Sequence, residues 1–256
     1  MFAGLDALVV LLIIILYQKY SDFIREGMLS FKGKITGKAK KASPVITREM
    51  IEEAMANRTY GDFTLTPAVV FFKDGDVAPS EGYKIDKWKI PDGRTQSRIT
   101  ISASAEKILD IYDDLAKQLG DTCGIVVEDY RVKQGHIDHF GYSKDLFVIR
   151  SVLVDFEEFI LNDGFVGIAI WSDFTQAGVQ LTVHKIIMIY AFEIRSFLRV
   201  LARYGLREDP ELKFLFEDFH ALIETAAGDS ALEALKDRLC IDYSVVQAGD
   251  SSLMMN

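Results

Sequence analysis

Cysteine is nearly missing: Cys123 and Cys240 are the two in 256 residues, far apart and in no C-x-x-C pattern. That excludes a disulfide framework and a thiolate metal site, and two free thiols fit a reducing compartment. Five prolines and eighteen glycines are too few for a collagenous or low-complexity chain, and no repeat recurs at a solenoid period. Also absent are a G-x-S-x-G elbow, a G-x-G-x-x-G turn, a kinase signature, zinc-finger spacing and an interleaved aromatic and basic patch. Gly33-Lys-Ile-Thr-Gly37-Lys38 is not a Walker A loop, being one residue short between its glycines and carrying Ala39 where a hydroxyl is needed. No motif names a cofactor or supports a known enzyme mechanism.

The chain does have enough apolar residue, 49% of the total, to bury the core of one large domain or of two small ones. The net charge of −9 is unevenly spread. Residues 1–41 hold seven basic side chains against three acids, a net of +4, which leaves −13 for the remainder. A body this acidic repels nucleic acid and anionic lipid, so no nucleic-acid partner is expected.

Residues 7–17 form an unbroken apolar run containing Leu8, Val9, Leu12, Ile13, Ile15 and Tyr17. Counted from Phe2 past Asp6, sixteen residues as a helix rise about 24 Å against a hydrocarbon thickness of about 30 Å. The flanks compensate: Tyr17 and Tyr20 suit the headgroup level, Lys19 can snorkel, and Asp6 lies near the opposite interface. With no basic n-region and no A-x-A site, the run reads as a retained single-pass anchor rather than a cleaved signal. The alternative is a buried core helix or strand. Basic residues after the run put the body on the cytoplasmic face and the N-terminus outside. The chain then divides into an anchor (1–19), a basic juxtamembrane neck or linker (20–46), an acidic globular domain (47–241) and a tail (242–256).

Hydrophobic periodicity in the body predicts a short helix capped by Thr47, and a strand over 63–72 that Pro67 pushes to an edge or makes begin later. Strands are expected at 83–90 and 98–101, then a helix through Ile108, Ile111, Tyr112, Leu115 and Leu119, capped by Ser102 or Ser104 and ended by Gly120. A strand at 123–132, a helix through Ile149 to Ile160, and strands at 165–171 and 179–190 come next. A helix bearing Phe197, Leu201 and Tyr204 precedes another opened by Asp209-Pro210, with Leu212, Leu215, Phe219 and Leu222 inward. This order is no βα alternation, so the fold class is α+β: a mixed, mainly antiparallel sheet with packed helices.

Two constellations carry possible chemistry. His136, Asp138 and His139 lie within four positions of a Gly-bounded stretch read as a loop, where imidazoles and a carboxylate can converge on a metal or act in acid/base work. His184, read as strand, and His220, read as helix, would complete such a site if they folded close. Arg195, Arg199 and Arg203, four apart on a helix, form a cationic stripe suited to an anion or a partner protein. The expected function is a membrane-tethered accessory or protein-interaction subunit, without catalysis, partnered by the bilayer and another membrane protein or complex. Its rival is a membrane-bound enzyme, metal-dependent or acid/base, built on His136, Asp138 and His139.

Overall fold

The computed structural model describes residues 47–72, 78–89, 93–132, 135–217 and 220–247. The apolar run, the basic neck and Phe219 lie outside these residues. Among those described, no helix is long and apolar enough to cross a membrane. The chain groups into two units: Pro44–Lys87 with Ser97–Asn256, and Met1–Ser43 with Trp88–Gln96. Of the second, only residues 88–89 and 93–96 are described.

Helix α1 (Arg48–Ala56) starts at Thr47, whose Oγ1 accepts a hydrogen bond from the Met50 amide. The strand expected over 63–72 is interrupted at Pro67. Strand β2 (Phe63–Thr64) pairs with β1 (Thr59–Tyr60), and β3 (Val69–Phe71) resumes beyond the proline to pair with β11 (His220–Leu222). The centre is an eight-stranded sheet. Its strands are β4 (Gly82–Lys89), β5 (Thr95–Ser102), β6 (Thr122–Asp129), β7 (His136–Asp145), β8 (Val166–Ser172), β9 (Ala177–Leu181), β10 (Ile187–Ala191) and β12 (Tyr243–Gln247). The spatial order is β12-β7-β6-β8-β9-β10-β5-β4, and the registers from β12 across to β5 are all antiparallel.

Helices α2 (Ile108–Ala116), α3 (Leu146–Asp155), α4 (Glu157–Asn162), α5 (Arg195–Arg203) and α6 (Gly228–Arg238) pack with this sheet. The main core joins Ile111 and Leu115 of α2, Ile149 of α3, Leu201 of α5 and Leu235 of α6 to Ile125, Val127, Ile168, Ile189 and Ile99 of the sheet. Because side chains alternate along a strand, Val126, Glu128, Phe140, Trp171 and Tyr190 point to the opposite face, and they too are buried.

Several expectations give way to the structure. Helix α2 has no side-chain cap. Its N-cap is Lys107; the Ser104 carbonyl accepts the Lys107 and Ile108 amides, while the Ser104 hydroxyl accepts the Thr64 amide at 2.8 Å. The helix expected through Ile160 breaks at Phe156 into α3 and α4. The single strand expected over 179–190 is a hairpin. Its turn has no Gly, Pro or Asn to announce it, and Lys185 takes the left-handed conformation at φ +54 instead. Asp209-Pro210 opens a turn, not an α-helix: Asp209 accepts from the Glu211 amide and the Leu212 amide, and the chain continues as a 3-10 turn at Leu215–Glu217 and then β11. Residues 243–247, read as tail, form the edge strand β12.

Candidate functional site

The stretch from His136 to Gly141 is strand β7, and the period of two decides which of its groups can meet. His136 and Asp138 share a face. His136 Nε2 stands 3.2 Å from Asp138 Oδ1, and its ring stacks on Tyr130 with centroids 4.6 Å apart. His139 points to the other face, where Nδ1 meets Ser244 Oγ of β12 at 2.7 Å. His184 lies in the β9–β10 turn and packs against His220 of β11, ring centroids 4.8 Å apart. The four histidines are thus dispersed over three places. Among the described residues no group of three or more His, Cys, Asp or Glu side chains is arranged to hold a metal ion.

Around His136 and Asp138 gathers a buried file of polar groups. Glu128 of β6 sits between Asp138 and Gly167 in register. A side chain at Gly167 would collide with the Glu128 carboxyl, so the glycine makes the room that this acid occupies. Gln180 Nε2 donates to Glu128 Oε1 at 2.7 Å, and the Tyr190 hydroxyl reaches Gln180 Oε1 at 3.5 Å. Gln247 Nε2 donates to Asp138 Oδ2 at 2.9 Å. Burial first, and the neighbouring Asp138 charge second, push the Glu128 carboxyl up to about 8. Lys185 is buried at the same end of the sheet; burial pulls it down to about 7, and Nζ donates to the Val166 carbonyl at 2.9 Å. For His136, burial opposes the charged ring, but the hydrogen bond to Asp138 and that residue's charge override it and raise the pKa. His139 is lowered, chiefly by burial. His184 falls to about 3 through burial and then through His220.

Beside this file, Arg131 ties three segments together. Its guanidinium reaches Asp129 at 3.0 Å, the fully buried Asp163 at 2.8 Å and Glu224 at 3.1 Å. Asp163 also accepts from the Thr225 amide and hydroxyl and from the Phe165 amide. Glu128 and Lys185, shifted to about 8 and about 7, are suited to proton transfer. Glu128 and Lys185 are legible as charges inside apolar runs, Cys-Gly-Ile-Val-Val-Glu and Val-His-Lys-Ile-Ile, yet nothing in those runs says that they meet.

The arginine stripe is on α5 as the spacing requires, with Arg195, Arg199 and Arg203 all exposed. Arg203 reaches Asp114 at 3.3 Å.

A different surface stands out on α3. Phe147, Val148 and Val154 are 74%, 52% and 65% exposed, on the side opposite the buried Leu146, Ile149 and Val152. Seven of the nine residues in Leu-Phe-Val-Ile-Arg-Ser-Val-Leu-Val are apolar, and on the exposed face Phe147 and Val154 flank Ser151. Beside this ridge, a hollow of about 100 Å³ opens between α2 and the α3–α4 pair, lined by Leu109, Tyr112, Ala116, Leu153, Val154 and Ile160. Pockets for small ligands run to about 300–1,000 Å³, so this one fits a single side chain rather than a cofactor. Arg150 spans its rim in a two-pronged ion pair to Asp113, 2.5 and 2.8 Å. Comparison with known protein families, with curated proteins and with solved structures finds no match to this chain.

Proposed function

We propose that this chain is a membrane-tethered accessory subunit whose acidic domain docks a partner protein through the exposed side of α3. The observation that carries the reading is the trio Phe147, Val148 and Val154, large apolar side chains left in water on one helix beside a side-chain-sized hollow. Large apolar side chains clustered in water among polar residues are how a protein-binding site looks when its partner is absent. The apolar run at residues 7–17 is the tether, the neck of basic residues keeps the body on the cytoplasmic face, and the N-terminus lies outside. Gentle detergent extraction of the full chain, with identification of the proteins that co-purify, tests this. A stoichiometric partner that Val154→Glu releases supports it, and a chain that stays alone contradicts it.

The second reading is an acid/base enzyme working through Glu128, Lys185 and His136, favoured by their shared site and their shifted proton affinities. It ranks lower because each of these groups is already engaged inside the protein: Glu128 with Gln180, Lys185 with the Val166 carbonyl, and His136 with Asp138 and Tyr130. Buried polar groups satisfied in this way specify a packed core.

A further inference from the structure

We infer that the partner presents to α3 an amphipathic helix whose apolar stripe is flanked by lysine or arginine. This rests on the docking reading above and adds the chemistry of the occupant. Along α3, Phe147 and Val154 are seven residues apart, about 10.5 Å at 1.5 Å per residue, so two apolar anchors stand two turns apart on one face with the small Ser151 between them. The hollow next to Val154 takes one aliphatic side chain from a helix laid along the ridge, in the helix-in-groove manner.

Charge selects the flanks of that helix. Asp110, Asp121, Asp145, Glu157 and Glu158 surround the patch and are exposed. Among the described residues none of the five has a cation within ion-pair distance. The cations nearby are taken: Lys117 by Asp113 and Asp114, Arg150 by Asp113, Arg203 by Asp114 and Arg238 by Asp155. The patch therefore has apolar side chains at its centre and an excess of acids over cations at its rim, the cations there being already paired. An anionic bilayer surface is repelled by such a rim, whereas a cationic helix meets complementary charge around an apolar centre.

The test uses the full chain held in phosphatidylcholine nanodiscs, titrated against two labelled helical peptides of about 18 residues, roughly five turns. One carries leucines along one face and lysines elsewhere; the other replaces every lysine by glutamate. Fluorescence anisotropy should show the lysine peptide binding at least about tenfold tighter. Val154→Glu, or Phe147→Ser should the first substitution disturb folding, should weaken that binding about tenfold, and the pair Glu157→Lys with Glu158→Lys should do the same. If the glutamate peptide binds as tightly as the lysine peptide and is still lost in Val154→Glu, the cationic partner is wrong while docking at α3 stands. If the lysine peptide fails to bind, or binds regardless of residues 147 and 154, the inference falls and the docking surface with it.

Discussion

Replacing Glu128 by Gln should change how stability depends on pH, in a direction that the structure fixes. The carboxyl sits in the interior with Asp138 alongside, and its proton affinity rises from the ordinary 4.5 to about 8. A carboxyl raised on folding favours the folded state fully below the unfolded value, and that contribution disappears as pH climbs through the folded value. Lys185 works the other way, since its pKa falls from 10.5 to about 7 and its contribution is present at high pH and lost as pH falls through 7. Between pH 5 and pH 7 Lys185 is mostly protonated folded and unfolded, and the opposing slope of His184, whose pKa falls to about 3 in the fold, is common to wild type and variant, so the difference between the two proteins isolates Glu128. At 1.36 kcal/mol per pH unit, about two units give roughly 2–3 kcal/mol of stability lost over that window. Glutamine keeps the shape and the acceptor for Gln180 but cannot ionise, so the variant should lack this slope. Urea unfolding of the full chain in detergent, monitored by tryptophan fluorescence at pH 5, 6 and 7, reads it. Parallel curves for the two proteins would refute the buried, ionisable Glu128.

Gly167→Ala should cost about 1–3 kcal/mol by driving a methyl group into the Glu128 carboxyl, seen as a lower urea midpoint; an unchanged midpoint would show that the strands part without strain. Arg131→Ala leaves the fully buried Asp163 without its cation and should cost about 3–5 kcal/mol in the same assay. Phe147→Ser, in contrast, should shift stability by no more than about 0.5 kcal/mol, because the ring is already 74% in water. His139→Ala removes a buried ring and its bond to Ser244, so it should cost about 1–3 kcal/mol and leave bound metal unchanged, as elemental analysis would show.

The broad α+β class, Thr47 as a cap and the break at Pro67 are legible in the sequence because each comes from local chemistry: a hydroxyl beside free amides, a ring with no donor. Strand β7 is not, because glycines and polar side chains at 135–141 imitate a loop, while the burial that makes them a strand comes from neighbours distant in sequence, Glu128 across one side and Val245 across the other. Once the strand is recognised, the period of two parts His139 from His136 and Asp138. The β9–β10 turn is hidden for a related reason, since the residue at positive φ is Lys185, whose amide bonds the Thr182 carbonyl and whose Nζ reaches the Val166 carbonyl, and not a turn-forming residue. The α3 patch is present in the sequence as Phe147, Val148 and Val154 on what should be a polar helix face. Only the exposed positions of the folded helix show which of its apolar residues lack cover.

Docking through α3 is tested most directly by placing a photo-reactive amino acid at position 147 of the full chain in cells of its native host, with position 230 on the exposed side of α6 as the control. Irradiation should join residue 147 to one defined protein, through a helix of that protein, and should join residue 230 to nothing in common. Equal or absent cross-linking at the two positions would contradict a docking surface on α3.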